Sequence, residues 1–561
     1  MIKGRIFLLI TGLIFGTVFV WNLVQRGTVY HKSEAKKGLE FRLTLEEKPF
    51  VVIIPSYNNE EYVQKNLWSV LEQEYKNFRV VFIDDASTDG TYRLAKGVAT
   101  AFEADDKVTF IHNQANCKAL YNLYYTIQSL SDDEICVILD GDDWFAHPKV
   151  LKELNRYYND PNVWMSYGQS ITYPKYEKAK AISFNPAVRN LRGQTELPQL
   201  RTFYASLFKK IKIKDFLFQG EFFTTCWDLA ITFPLWEMAR NHAVFIPEVF
   251  YVYNRETPLN DDKIYKEKQP HFSRYIRSLP SYDEIESLGL DTGEEDHSAL
   301  IVFSENRPMQ LYSFLESIQK EEEDFSPIHV YYTAKDEEFE RGYRVVKETF
   351  GDLVSFHLWN NGDEFLSDIE QIESKYVTFA KDTLIANHEL KIASSIEALE
   401  KAGAYAVYFD LGLNISEIPP KVLSVGEGYF VWDFEFANSE WSNCNRIDMT
   451  LYCKETLIPF LNKIHYKTIS EFERHWKHCI DLRQIGLFYR ESKVVNIPYQ
   501  ITKADTSEKA ILYSEKELND RLLEGYKIDI SPLCNYETLA REIEFYPHFV
   551  LRDSDKTDYT D

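Results

Sequence analysis

Ile135-Cys136-Val137-Ile138-Leu139-Asp140-Gly141-Asp142-Asp143-Trp144 decides how this chain is read. The first five residues are continuously apolar and predict a buried β-strand, and Asp140, Asp142 and Asp143 crowd its C-terminal end. Carboxylates packed together repel one another and lose hydration. A divalent cation relieves both effects, and Mg²⁺ or Mn²⁺ prefers carboxylate oxygen. A solvated acidic turn has the same composition, so the motif is read with its context.

The context lies upstream. Phe50-Val51-Val52-Ile53-Ile54 is an apolar strand that runs into Pro55-Ser56-Tyr57-Asn58-Asn59. A helix pattern follows, with Val63, Leu67, Val70 and Leu71 on one face. The strand Phe78-Arg79-Val80-Val81-Phe82-Ile83 then closes on Asp84-Asp85-Ala86-Ser87-Thr88-Asp89-Gly90-Thr91. Strands that alternate with helices and end in polar loops predict an open α/β sheet. In such sheets ligands bind outside the carboxyl ends of the strands, so these loops are expected to line one crevice.

Taken in order, Pro55-Ser56-Tyr57-Asn58, Asp84-Asp85-Ala86-Ser87-Thr88-Asp89-Gly90-Thr91 and Asp140-Gly141-Asp142-Asp143 resemble the signatures of family-2 glycosyltransferases, over roughly residues 48 to 260. The resemblance implies the GT-A fold, an inverting transfer from a nucleotide sugar, by family habit a UDP-sugar, and a Mn²⁺ or Mg²⁺ cofactor. It implies Pro55 and Tyr57 against the base, with Asn58 holding their loop. Asp85 would meet the nucleobase beside Asp84, Asp140 the ribose or the metal, and Asp142 or Asp143 the metal. Asp228 matches the family's catalytic base, although Trp227 stands where the family usually has Glu. Arg201 is a candidate for the leaving phosphate, a task suited to a guanidinium fork. Asn116-Cys117-Lys118 replaces the glycine of the family's Asn-x-Gly by Lys118, which either reaches phosphate or lies on the surface. The Gln-x-x-Arg-Trp helix of polymer synthases is missing, which points to transfer of single sugars or short chains.

Composition bounds the rest. A chain of 561 residues predicts more than one domain. Its net charge of −24 argues against nucleic acid, where Lys and Arg must neutralise phosphate. The seven widely spaced cysteines read as reduced thiols. Ile6 to Val24 is uncharged and mostly apolar, long enough for a single-pass membrane helix, and its exit is a poor signal-peptide cleavage site. Lys and Arg are more numerous after it than before it, so the bulk of the chain is expected in the cytoplasm, with a lumenal arrangement as the alternative.

The expected organisation is an anchor over 1–25, a tether over 26–47, the catalytic domain over 48–260, a linker over 261–295 and a second domain over 296–555. Leu200-Arg201-Thr202-Phe203-Tyr204 is expected to begin a helix, and Thr225 to Ala230 to open another. In the second half, strands at Ala299–Ser304, Ile328–Tyr332, Leu353–Leu358 and Tyr376–Phe379 alternate with helices, which predicts a second doubly wound, GT-A-like domain. There Lys381-Asp382 replaces the acidic loop, so this domain is read as metal-free: either an acceptor- or partner-binding domain or a stabilising duplicate. Trp432 and Trp441 are candidates for sugar stacking or for the core. The acceptor is a glycan, a lipid or a protein. The competing reading is a membrane-tethered, carbohydrate-binding scaffold without catalysis. A nucleotidyltransferase would need a Gly-rich, basic loop after the first strand, which Pro55–Asn59 is not.

Overall fold

The computed structural model describes residues 45–552 apart from 180–190, 194–196, 198, 290–296, 320–324, 361, 416–417, 420, 427, 438, 480, 499 and 503–508. The chain from Glu47 onward is one compact unit. Among the described residues no helix is long and apolar enough to cross a membrane. This corrects the expected localisation: the anchor was read over 6–24, outside the described residues, and no described element supports it.

The first half is built on strands β1 (Phe50–Ser56), β2 (Phe78–Asp84), β3 (Val108–His112), β4 (Ile135–Ile138), β5 (Trp144–Phe145), β6 (Met165–Tyr173), β7 (Glu177–Lys178), β8 (Arg201–Tyr204) and β9 (Ala243–Asn254). They form one sheet in the order β3-β2-β1-β4-β8-β6-β9-β5, with β7 on the edge of β6. β1 lies parallel to β2 and β4, in the register Ser56 to Asp84 and Ile53 to Ile138. Its unbroken apolar run is buried because helices cover both faces, as central parallel strands require. The sheet is not wholly parallel. Arg201–Tyr204, expected as the start of a helix, is instead a strand antiparallel to both β4 and β6. The period of two won there: Phe203 is buried on one face while Thr202 meets Tyr158 and Ser166 hydroxyls on the other. The helix follows only at Ala205–Lys209. The expected helix after Thr225 runs over Trp227–Ala239 and is buried nearly all round, as its unbroken apolar sequence dictates.

The second half repeats this order. Its strands are β10 (Ser298–Glu305), β11 (Phe325–Thr333), β12 (Val354–Leu358), β13 (Tyr376–Lys381), β14 (Ala406–Tyr408), β15 (Val422–Gly426), β16 (Tyr429–Asp433), β17 (Thr450–Cys453) and β18 (Ile485–Tyr489). The sheet runs β12-β11-β10-β13-β17-β14-β18-β16-β15. As in the first half, the fourth parallel strand is followed by an antiparallel one, and the next two are parallel to each other. The likeness reaches single residues. Asn58 and Asn306 both take positive φ (52° and 56°) just after the first strand of their half. Each side-chain carbonyl accepts a backbone N–H from the loop after the second strand, Thr88 at 2.8 Å and Lys335 at 2.6 Å. Asparagine tolerates that backbone region better than most residues.

The two halves share a core. One cluster of buried apolar residues runs from Ile53 and Leu123 through Phe208, Phe216 and Trp236 to Ile396, Leu399 and Val431. Trp432 and Trp441 are buried against Tyr408, Phe434 and Phe488, so they are core residues and not a sugar platform. The segment read as a linker packs on the first half instead. Its helix Lys268–Ser278 sets Phe272 against Phe218 and Phe223. Arg192, with two N–H groups on Glu237 at 2.7 and 2.8 Å and a third on the Ile276 carbonyl at 2.7 Å, ties this helix to the buried Trp227–Ala239 helix.

Breaking that buried pair strands a charge. Arg192→Met is expected to lower folding stability by about 3–5 kcal/mol. Urea unfolding of parent and variant checks the value.

Candidate active site

The loops after β1, β2 and β4 meet at one end of the sheet, and each is held by side chains from its neighbours. Asn66, on the helix Val63–Leu71, donates to the carbonyls of Asp140 at 2.9 Å and Asp143 at 2.8 Å, which fixes the acidic turn. Gly141 lies so close to the first loop that a Cβ there would fall 2.5 Å from Ser56 Oγ and 2.7 Å from Asn59 Nδ2. Only glycine lets the two loops approach this closely. The Asn58 N–H donates to Ser87 Oγ at 2.9 Å, and together with its contact to Thr88 this joins the first loop to the second.

The acids differ sharply in what they face. Asp143 is wholly buried: it accepts from the Tyr251 hydroxyl and from the Asn254 N–H at 2.7 Å. Burial, with Asp142 and Asp140 beside it, pushes its carboxyl well above the ordinary range. Burial also raises Asp140, against the opposing pull of Arg201, and the Tyr251 hydroxyl donates to it at 3.2 Å. Asp142 is pushed up to about 7 by burial and then by Asp140. The three therefore do not converge as the expected metal-ligand set. Among the described residues no three His, Cys, Asp or Glu side chains form a group that could hold a metal ion. Asp143 is wholly buried, whereas Asp140 and Asp142 are only partly so.

Asp85 is buried, and its oxygens accept from Asn113 Nδ2 and from the N–H groups of Cys117 and Lys118, each at 2.8 Å. These bonds use it to hold the third loop, where the sequence had suggested a partner for the nucleobase. Asp84 is also buried, with Oδ2 2.9 Å from His112 Nδ1 and 3.2 Å from the Ser87 N–H. Tyr57 is 38% exposed, and Pro55 lies at the end of β1. Lys118 has φ 73° and ψ 161°, and its ammonium lies 6.0 Å from the Tyr57 ring centre. It is half-buried, and its charge is also felt by Asp261.

Arg201 and Asp228 stand opposite the acidic turn. The Asp228 carboxylate lies 3.8 Å from Arg201 Nη1, with 40% of the Asp228 side chain exposed against 4% of Arg201. The guanidinium sits 5.0 Å from the Trp227 ring centre. Its Nε and Nη1 are buried and have no hydrogen-bond partner. One acid escaped the sequence reading. Asp261 accepts from Thr225 Oγ1 at 2.8 Å and is pushed up to about 6 by burial and by Asp140 and Asp228, with Lys118 opposing. The sequence places it at the start of a charged linker, because only its tertiary position sets it apart. Asn66 escaped for a similar reason, being one polar residue on an amphipathic helix.

Residues 51–216 match the model of Glycosyl transferase family 2. This part of the chain is similar to family-2 glycosyltransferase domains, and the curated relatives it matches are named as glycosyltransferases. Among similar proteins, the putative glycosyltransferase EpsE of Bacillus subtilis is 37% identical over 102 residues, 18% of this chain and 35% of EpsE. The putative teichuronic acid biosynthesis glycosyltransferase TuaG of the same organism is 29% identical over 109 residues, 19% of this chain and 41% of TuaG. The chain thus spans less than half the length of these relatives. The crystal structure of TarS residues 1–349 from S. aureus aligns with a TM-score of 0.31 at 16% identity, over 39% of this chain and 62% of that one. That likeness is too slight to bear on the chemistry.

The Asp142 carboxyl carries a pH signature. Held near 7 and not at its ordinary 3.8, it is neutral in the folded protein at pH 5 and charged at pH 8. Its contribution to stability is therefore lost as pH rises from about 4 through 7. In EDTA, Asp142→Asn is expected to raise stability at pH 8 by about 1–2 kcal/mol and to leave pH 4 nearly unchanged. Thermal melts across that range check both the sign and the window.

Proposed function

We propose that residues 48–260 are the catalytic domain of an inverting, metal-dependent glycosyltransferase. It moves a sugar from a nucleotide-sugar donor, a UDP-sugar by family habit, to a hydroxyl of a glycan, lipid or protein acceptor. The observation that carries this reading is the buried Arg201 guanidinium, whose Nε and Nη1 make no hydrogen bond and whose ion-pair partner Asp228 stands off at 3.8 Å, opposite Asp140 and Asp142, whose carboxyls burial raises. Neither side is electrostatically complete. A diphosphate satisfies the guanidinium, and a divalent cation satisfies Asp140 and Asp142.

Asp140 and Asp142, together with the donor's own phosphates, would hold Mn²⁺ or Mg²⁺, which would supply Lewis-acid stabilisation of the leaving diphosphate. The protein's own residues do the rest. Tyr57 and Pro55 pack on the base, and Asn58, Asp84 and Asp85 keep the loops around it rigid. The acceptor oxygen attacks the anomeric carbon, and the bond from that carbon to phosphate oxygen breaks on the opposite face. Asp228, the acid with most exposure at the crevice, takes the hydroxyl proton. Arg201 meets the charge that leaves on the diphosphate. A relative named UDP-Glc:alpha-D-GlcNAc-diphosphoundecaprenol beta-1,3-glucosyltransferase, from Escherichia coli, is 25% identical over 116 residues and lends support to the UDP-sugar donor. The second half, with Lys381 in place of the acidic turn, is proposed as a non-catalytic glycosyltransferase-like domain.

Nucleotide release by the full chain across a panel of nucleotide sugars tests this. One donor is expected to be hydrolysed or transferred with Mn²⁺ and not with EDTA. Asp228→Asn is expected to lower kcat by about 10²–10⁴-fold with KM for the donor little changed. Absence of both release and donor binding would favour the carbohydrate-binding scaffold.

A further inference from the structure

We infer that Asp261 is a positioning residue for Asp228: through Thr225 it clamps the turn from which the Asp228 helix starts, and it ties that turn to the acidic turn of the crevice. The role of Asp228 as base rests on the reading of this chain as a glycosyltransferase. The clamp rests on the hydrogen bonds alone.

The turn needs holding. The helix Trp227–Ala239 carries Asp228 at its second position, and the residue before it, Cys226, takes φ 61° and ψ 22°. A residue with a Cβ enters that left-handed region at a cost and stays there only where its surroundings fix it. The Cys226 side chain caps no N–H of the helix. What fixes the turn comes from the segment that the sequence presents as a linker. Thr225 is fully buried and donates its hydroxyl to Asp261 Oδ2 at 2.8 Å. The Cys226 thiol donates to the Gln269 carbonyl at 3.4 Å. A thiol is a weak donor, whereas a bond to a carboxylate is a strong one, so Asp261 is the main hold.

The other end of this segment grips the acids. The Asn254 N–H donates to Asp143 at 2.7 Å, and Asn260 Nδ2 donates to the Asn254 carbonyl at 3.2 Å. The Lys263 ammonium closes the loop by donating to the Arg255 and Thr257 carbonyls at 2.8 and 2.7 Å. A continuous set of contacts therefore runs from Asp143 through Asn254, Asn260 and Asp261 to Thr225, three residues before Asp228. It fixes the proposed base relative to the acids proposed to hold the cation. A single displacement depends on that spacing, since a misplacement of about 1 Å can cost about 10²-fold in rate.

Hydrogen–deuterium exchange and nucleotide release by the full chain test the inference together. The Leu229 and Ala230 N–H groups donate to the Cys226 carbonyl at 3.1 and 3.2 Å, so their exchange reports on the turn. Exchange there is expected to quicken about tenfold in Asp261→Ala and in Thr225→Val, and no further in the double variant, because both remove one bond. Asp261→Asn, whose amide oxygen still accepts, is expected to stay close to the parent. For the donor that the parent turns over, kcat is expected to fall about 10- to 10²-fold in Asp261→Ala and Thr225→Val with KM unchanged, and to recover in Asp261→Asn. Melting temperatures check that all variants are folded. Exchange that Thr225→Val leaves unchanged, or quicker exchange with kcat unchanged, overturns the inference. Loss of kcat in Asp261→Asn beside a Thr225→Val variant as active as the parent overturns it too, by making the charge of Asp261 matter and not its bond. A parent that releases nucleotide from no donor sinks the transferase reading alone, because exchange reads the clamp without turnover.

Discussion

Like charge buried at the ends of parallel strands governs how the first half is arranged. Asp140, Asp142, Asp143 and Asp261 cannot all ionise in one water-poor crevice without compensation. Each receives a different answer. Asp143 is pushed up by depth and by Asp142 and Asp140, while the donated hydrogen bonds of Asn254 and Tyr251 oppose that shift. Asp140 has the field of Arg201. Asp142 and Asp261 keep carboxyls raised to about 7 and about 6. The supporting residues follow from this. Asn66 and Gly141 hold a turn that would otherwise spring open, and β8 inserts antiparallel into the sheet, where it delivers Arg201.

The second half resolves the same geometry from within. At the end of its fourth parallel strand the Lys381 ammonium is gripped by Asp448 at 2.7 Å and Glu473 at 2.8 Å. Asp382 faces Arg307 at 3.5 Å. Arg541, from the C-terminal segment, reaches back to Asp410 and Asp448, and Arg446 completes the network on Asp410 at 2.8 Å. Asp448 is held well below the usual carboxylate range by Lys381 and Arg541 in spite of burial, while burial still pushes Asp382 up to about 6 against the pull of Arg307. Two sheets of one order therefore end in different electrostatic states, one with a cluster of raised carboxyls and one with acids largely paired to the chain's own cations.

Much of this was legible in the sequence because period and punctuation agree. The strands ending at Ser56, Asp84 and Ile138 are apolar runs stopped by polar turns, and both halves show the alternation of strand and helix. The loops that meet at the crevice could be named from their order alone. The misreadings have physical causes. Arg201–Tyr204 is too short for its period to declare itself, and antiparallel pairing across the sheet decided its state. Acid type does not reveal direction, so Asp143 and Asp85 looked available when backbone N–H groups had claimed them. Asp261 owes its place to folding across a long separation, which no local pattern records.

Lys118 shows what the crevice asks of its backbone. At φ 73° and ψ 161° it occupies a region that glycine enters freely and a lysine enters only under strain of order 1–3 kcal/mol. Asp85 offsets part of that by gripping the N–H groups of residues 117 and 118. Folding alone would favour glycine at this position. A lysine there is a choice made at the expense of stability, and what the chain receives in return is a positive charge 6.0 Å from the centre of the exposed Tyr57 ring.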